Sequence, residues 1–455
     1  MRNASLLTII CLLVAALSCT GVDPADEEVV GEQAVNLLPL RERVAITEGW
    51  WQWRKANVLP MIMREQGVDL WIVRDDEADK YYNNEGPVFS SLVPADLRGM
   101  IYDSQYGDAR PRFLIFHDTG ESIEYIEPRD YAHISELVAG LDPKTIAISQ
   151  FNNEPMLAAL GQYASRAVDS WTLCLRWYET VSPEMIERYR DVVALANEII
   201  AEGFSNKVVT PNVTTTDDLN WWFREKMLDL GIEHENHPSI SVQRSLADIA
   251  KYDDPMEHVV GARTRNDIDV IIRPGDVLRV DTDVFMLGLV TDTHQYGYVL
   301  REGESEVPGE LVDALNTANA IQDQFAAEFK LGRTGKEIVA ASEALIFPDN
   351  LAGRPTNDFH PPPKYMLRFV RDGWMLSTKT AVVGMTSGPT YAPTSIVTND
   401  HELHHNTLYA FEPHIDVYID GWGDQGLELG HGQIIAFTED GFQFLNRAPD
   451  WHVID

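Results

Sequence analysis

Positive charge is scarce in this 455-residue chain: 36 lysines and arginines stand against 71 aspartates and glutamates, a formal net charge of −35. Such a field repels phosphate backbones and anionic headgroups, which excludes nucleic-acid binding through a broad basic surface and electrostatic attachment to acidic lipid. Cysteine is nearly absent as well, with only Cys11, Cys19 and Cys174. The first two fall in or just after an N-terminal apolar run, so Cys174 is left alone and an intramolecular disulfide in a mature chain is excluded. Its neighbours Trp171, Leu173, Leu175 and Trp177 predict a buried structural cysteine rather than a nucleophile. No internal repeat is visible, which argues against a solenoid. What remains is a globular composition, 44% hydrophobic, 9% aromatic and 24% charged, of a length that predicts two or three domains.

The N-terminus reads as a targeting segment. Arg2 precedes an apolar run over residues 6–17, and Ser18 precedes Cys19. The run is shorter than the roughly 20 residues a comfortable membrane-spanning helix needs. Ala16-Leu17-Ser18-Cys19 resembles a bacterial lipobox, so residues 1–18 are expected to be a signal peptide and Cys19 a lipidation site. The alternative is a simple cleaved signal or a short buried anchor. Residues 19–37, with five acids between Asp23 and Glu32, suit a solvated acidic tether. The expected location is exported, held at the membrane through the N-terminal lipid alone.

Two bodies follow. Over residues 38–180, strand-like runs at 68–73, 112–116 and 145–149 alternate with helical segments at 58–64 and 131–141, predicting an α/β domain with a mixed sheet. Ser182-Pro183 opens a long amphipathic helix whose apolar residues Met185, Tyr189, Val192, Val193, Ala196, Ile199 and Ile200 recur at helical spacing. Thr215 and Asp218 form a capping pair for a second helix over 217–230. Strands are predicted at 240–243, 277–285, 297–300 and 434–438, helices at 310–329 and 335–346, and a surface loop at 348–363.

The informative chemistry starts at RVDTDVFMLGLVTD, residues 279–292. Asp281 sits in an apolar strand-like run, where an unpaired carboxylate would cost several kcal/mol. Asp283 shares its face, and Asp292 follows eleven residues on, in a second predicted strand across the Met286-Leu-Gly turn. Glu412 follows the apolar run of 408–411, and Glu428 precedes the strand at 434–438. Carboxylates gathered from separate strands build oxygen-rich sites for one or two hard divalent cations, and two ions about 3.5–4 Å apart can clamp and activate a water. The bland alternative is the acidic edge of a hairpin. His401, His404 and His405, and His360 in the proline-rich stretch, read as polar loop residues.

With these residues the chain resembles the pita-bread metallopeptidases: methionine aminopeptidase, Xaa-Pro aminopeptidase, prolidase and creatinase. The resemblance spans about residues 40–455 and rests on Gly67-Val-Asp-Leu-Trp-Ile-Val, Gly275-Asp-Val-Leu-Arg-Val-Asp281, Gly332-Arg-Thr-Gly, Thr438-Glu-Asp-Gly and the order Asp281, Asp292, Glu412-Pro. It implies an α/β creatinase-like N-terminal domain at 38–180 and an α+β, pseudo-symmetric pita-bread domain at 181–455. It implies metal ligands at Asp281, Asp292 and Glu412, with Glu412 also the catalytic carboxylate, and one or two Mn, Zn or Co ions. The last carboxylate falls either on Glu428, counted forward from Glu412, or on Gly432, counted back from Thr438. The expected histidine falls on Met385, a poor donor for hard cations, and Gln243 stands where a substrate-side histidine is usual.

These departures imply weakened metal binding, down to none, and reduced or absent activity. Three functions therefore stand. The first is an exported hydrolase attacking the N-terminal peptide bond of peptides, Xaa-Pro among them, with metal-activated water. The second is an inactive pita-bread lipoprotein that binds a ligand or serves as a structural module. The third is a creatinase-like, metal-free hydrolase of a small amide. Relatives of this fold are often homodimers, which the resemblance carries over as an expectation.

Overall fold

The computed structural model describes residues 38–74, 113–149, 153–232, 238–252, 259–260, 269–287, 289–351, 359–360, 402–422 and 426–455. The signal and tether segments, Cys19, Met385 and His401 lie outside these residues, as does much of the proline-rich stretch.

Helix α1, Leu40–Glu65, is far longer than residues 58–64. Its first half carries few regularly spaced apolar residues, and is held instead by Trp50, Trp51 and Arg54, all buried. Gly67, at φ 61°, supplies the left-handed turn into the first sheet. That sheet comprises β1 Leu70–Arg74, β2 Phe113–Asp118, β3 Ile123–Ile126, β4 Ile146–Ile148 and β5 Ala167–Asp169, in the order β3-β2-β1-β4-β5. Strand β1 runs antiparallel to β2 and parallel to β4, so the sheet is mixed, as the alternating pattern predicts. Every residue of β1 is buried, which explains an unbroken apolar run in place of alternation. Helices α2 Tyr131–Leu141 and α3 Glu154–Leu160 cover one face through Ile134, Val138, Met156 and Leu160. Helix α4, Trp171–Glu179, carries the buried Cys174 and an ion pair of 2.5 Å between Arg176 and Glu179, with Arg176 also 3.2 Å from Glu65 at the end of α1.

The rest of the chain repeats a simple unit, two helices followed by a mainly antiparallel sheet. The first pair is α5 Pro183–Gly203, capped by Ser182, and α6 Thr216–Asp229, whose Thr215/Asp218 capping box forms as the sequence predicts. The helices cross so closely that a Cβ on Gly203 would lie 2.4 Å from the Phe223 ring. Strand β6, Ser239–Gln243, then leads through the short helix α7, Leu246–Lys251, to β7 Val259–Val260, β8 Val277–Thr282, the small hairpin β9 Phe285–Met286 and β10 Leu289–Val290, and β11 Thr293–Val299. The second pair is α8 Gly309–Ala326 and α9 Gly335–Glu343. After it come β12 Phe359–His360, β13 Thr407–Phe411, the hairpin β14 Ile415–Val417 and β15 Leu427–Leu429, then β16 Gln433–Thr438, β17 Gly441–Phe444 and β18 His452–Ile454. The two main sheets are ordered β18-β11-β8-β6-β7 and β12-β13-β16-β17. A core of Tyr296, Tyr298, Leu315, Phe325, Phe411 and Ile435 joins them to α8. This is the α/β plus pita-bread α+β class expected from the sequence. Among the described residues no helix is long and apolar enough to cross a membrane.

Two local expectations are corrected. The strand predicted over 277–285 stops at Thr282, because the chain folds into the β9/β10 hairpin, closed by Val284 N to Thr291 Oγ1 at 2.9 Å and Thr291 N to Val284 O at 3.0 Å. Asp292 accordingly lies in the short link between β10 and β11 rather than in a strand.

Arg244, just after β6, is fully buried and grips Asp276 with two bonds of 2.6 and 2.7 Å, while also donating to Ile271 O at 3.0 Å. Asp276 in turn accepts from Arg273 N at 2.7 Å. Removing one partner leaves a buried charge, so Arg244→Met is expected to cost about 3–5 kcal/mol in denaturant unfolding. Arg244→Met/Asp276→Asn should regain a large part of that loss, because the asparagine still accepts from Arg273 N; equal loss in both variants would show that the pair is not the source.

Burial also holds His452 down to about 4 and His431 down to about 3, from an ordinary 6.5. The unfolded chain therefore binds protons first as pH falls, and folding stability should decline from about pH 6.5 toward 4 by up to about 1.4 kcal/mol per pH unit for each group. His452→Gln should flatten this slope in thermal unfolding across that window.

Candidate metal centre

Asp281 is the penultimate residue of β8, the strand between β6 and β11, and pairs with Ser239 on one side and His294 on the other. Residues directly opposed across antiparallel strands project to the same face, and so do residues two apart along an extended segment. Register alone therefore sends Asp281, His294 and Asp292 to one side. Glu412 reaches the same point from the other sheet, one residue past Phe411, which pairs with Gln433. His294 Nε2 lies 3.2 Å from Asp281 Oδ1, 3.5 Å from Asp292 Oδ1 and 3.1 Å from Glu412 Oε1. The imidazole side chain is 4% exposed and the three carboxylate side chains 9–23%, with Asp281 the most open.

The segment is clamped from both ends. Tyr189 Oη on α5 donates to Val290 O. Gln295, on the opposite face of β11 from His294, donates to Asn197 of α5 at 2.6 Å and meets the His452 ring on β18 at 2.6 Å. His294 N donates to Gly432 O at 3.3 Å, tying the two sheets together at the site.

The charges in this space are unbalanced. Burial first, then the nearby Glu412, Asp283 and Asp281 charges and a hydrogen bond with Glu412, push the Asp292 carboxyl well above the usual carboxylate range. Arg279 lies beneath with Nη2 at 3.6 Å from Asp281 Oδ2. Burial opposes its charge, but Tyr296, Asp281, Glu428 and Glu412 outweigh that and keep it a cation. A buried group of acids whose members raise one another's proton affinity is the environment that a divalent cation relieves. Donor atoms of Asp281, Asp292 and His294 lie within 4.8 Å of one another, and the 3.2 and 3.5 Å from His294 Nε2 to the two aspartates are spacings compatible with bonds of about 2.0–2.2 Å to a common ion. Carboxylates suit manganese and an imidazole suits zinc and its neighbours, so the donor set fits the metals expected.

Of the residues singled out in the sequence, the structure brings Asp281, Asp292 and Glu412 together around His294. Glu428 lies on β15 opposite Asp416, with its backbone N and O both bonded by the Gln243 side chain at 2.8 Å, and its charge acts on Arg279, the neighbour of Asp281. Asp283, just past β8, acts on Asp292 through its charge. His404 lies 3.3 Å from Glu179, and the His405 ring packs on Phe437, both in the turn before β13. His294 is the residue the sequence reading missed. Its signal was present: in Asp292-Thr293-His294 the imidazole repeats the aspartate's face at a period of two.

Residues 187–439, more than half of the chain, match the model described as metallopeptidase family M24, and the chain belongs to that family. Among solved structures it is similar to the X-Pro aminopeptidase of Thermotoga maritima, with 14% identity, a TM-score of 0.48, and coverage of 86% of this chain and 99% of the other. It is similar also to a Bacillus anthracis Xaa-Pro dipeptidase, at 13% identity, TM-score 0.45 and coverage of 90% and 100%. The prolidase of Pyrococcus horikoshii shows 11% identity, TM-score 0.46 and coverage of 90% and 98%. No curated protein sequence matches the chain.

Because Asp292 is disfavoured as a carboxylate in the metal-free site, Asp292→Asn should raise the melting temperature of metal-free protein at neutral pH, and the gain should shrink as the pH is lowered. The same change should abolish the rise in melting temperature on adding Zn2+, Mn2+ or Co2+, a rise worth about 2.7 kcal/mol in the parent protein at a hundredfold excess over the dissociation constant.

Proposed function

We propose that this member of the metallopeptidase family is an exported hydrolase that cleaves the N-terminal peptide bond of peptides, with Xaa-Pro sequences as the substrate class. The observation that carries the reading is the convergence of Asp281, Asp292, His294 and Glu412 from two sheets on one buried point. A divalent ion bound there would supply Lewis acidity, polarising a peptide carbonyl and acidifying a water molecule. Asp281, Asp292 and His294 are the residues to hold it. Glu412, hydrogen-bonded to Asp292, is placed to take the proton of the attacking water, with Asp292 positioning its carboxylate. Arg279 keeps a positive charge 3.6 Å from the Asp281 carboxylate.

Export and membrane attachment rest on Arg2, the apolar residues 6–17 and Cys19. The division into bodies at 38–180 and 181–455 is supported by the first sheet's closing at Asp169 and the next sheet's opening at Ser239. The homodimer expected from the resemblance belongs to the same proposal.

A second reading, a pita-bread lipoprotein that binds a ligand without turnover, is favoured by one observation: Gly432 brings no carboxylate to the site. The two readings separate on hydrolysis of Xaa-Pro dipeptides and longer Xaa-Pro peptides by the full-length protein with Mn2+, Zn2+ or Co2+. The enzyme reading expects metal-dependent release of the N-terminal residue, falling by about a hundredfold or more in Asp292→Asn. Metal binding with no release from any N-terminal series would favour the second reading.

A further inference from the structure

Gly432 immediately precedes β16, and its carbonyl accepts the His294 backbone N–H. A Cβ built on Gly432 would lie 2.8 Å from His294 Cγ, 2.9 Å from Nδ1 and 3.0 Å from the backbone N. The first two are closer than real Cβ atoms come to a neighbour, and His294 is itself 3% exposed. The imidazole ring therefore fills the space into which any side chain at 432 would enter. Its Cγ and Nδ1 face Gly432, while Nε2 is directed at the oxygens of Asp281, Asp292 and Glu412. The ring spans the interval from the backbone of β16 to the acids, the interval a longer side chain on residue 432 would have to cross. Position 432 is also one of the two places at which the sequence resemblance puts the last carboxylate.

We infer that His294 replaces, from the neighbouring strand, the side chain that Gly432 lacks, and that it does so as the nitrogen donor of a site for one divalent ion. The inference rests on the metal-site part of the functional reading above and goes further, by tying the nitrogen donor to the space left open at Gly432 and by fixing the ion count. His294 Nε2 lies against one oxygen each of Asp281, Asp292 and Glu412. Asp281, Asp292 and His294 supply the three protein donors of one such ion, with the fourth position left to water beside Glu412. A second ion about 3.5–4 Å away needs donors of its own besides any that bridge. A carboxylate from 432 would be such a donor, and the ring excludes it. Both halves of the exchange are needed: Gly432 opens the space, and a histidine two residues after Asp292, opposite Asp281, fills it.

The test uses the full-length protein, stripped of metal and loaded with Mn2+ alone. Electron spin echo modulation of the bound Mn2+ should show a directly bonded imidazole nitrogen, and titration with the continuous-wave spectrum should give one site with the six-line pattern of an isolated ion. His294→Ala should lose the nitrogen modulation and bind Mn2+ about tenfold or more weakly. Gly432→Glu should weaken binding because the new carboxylate meets the ring, and His294→Ala/Gly432→Glu should recover binding with oxygen donors only. Bound Mn2+ without nitrogen modulation in the parent protein, nitrogen modulation that survives His294→Ala, an exchange-coupled pair of ions, or failure of the double variant to recover would each overturn the inference. If the parent protein binds no Mn2+, the metallopeptidase reading falls with it; bound metal without a nitrogen donor overturns this inference alone. The parent spectrum decides even where a variant fails to fold.

Discussion

Cross-strand register between β8 and β11 determines which way the site's donors point. Because Asp281 is paired with His294, the two side chains share a face, and the period of two along β11 adds Asp292 to it. A slip of one residue would turn His294 into the interior and bring Gln295 to the acids. Several contacts on the far side of the strand guard against that slip: Gln295 with Asn197 and His452, and the β9/β10 hairpin closed through Val284 and Thr291. None of these residues has donor atoms in the candidate centre, yet each limits where the acids can go.

Charge gives the arrangement its purpose. A chain of net charge −35 has acids in abundance on its surface, where solvent screens them. At the junction of the two pita-bread sheets the same residue type is buried, and burial together with the neighbouring acids pushes the Asp292 carboxyl well above the usual carboxylate range. The Arg279 cation offsets part of that repulsion. The remainder is what a divalent cation would neutralise, which is how the fold links burial of acids to metal chemistry.

Much of this was legible in sequence, but unevenly. Helix caps at Ser182 and Thr215 and the apolar stripe of α5 are local features, and the structure reproduces them. The paired acids Asp281 and Asp292 could be read from spacing. Glu412 could be given a role only through resemblance, since nothing local says that a residue after β13 meets β8 from another sheet. The first half of α1 was missed because tryptophans and a buried arginine hold it without a regular apolar period. The strand at 277–285 was drawn too long because the hairpin beyond Thr282 is as apolar as the strand itself. His294 was missed for a different reason: an imidazole was sought far along the chain, at Met385, while the one that reaches the acids lies two residues from Asp292. Register across strands is a tertiary fact, and single-sequence periodicity shows the face of a residue but not its partner.

The most direct test of the account is calorimetric titration of the metal-free, full-length protein with Zn2+, repeated in buffers of different ionisation enthalpy and with Asp281→Asn beside it. The account predicts saturable binding accompanied by proton release, as a protonated carboxyl is displaced by the ion, with binding lost in the variant. A folded protein that shows no binding heat, or one whose binding is unchanged by Asp281→Asn, would contradict it.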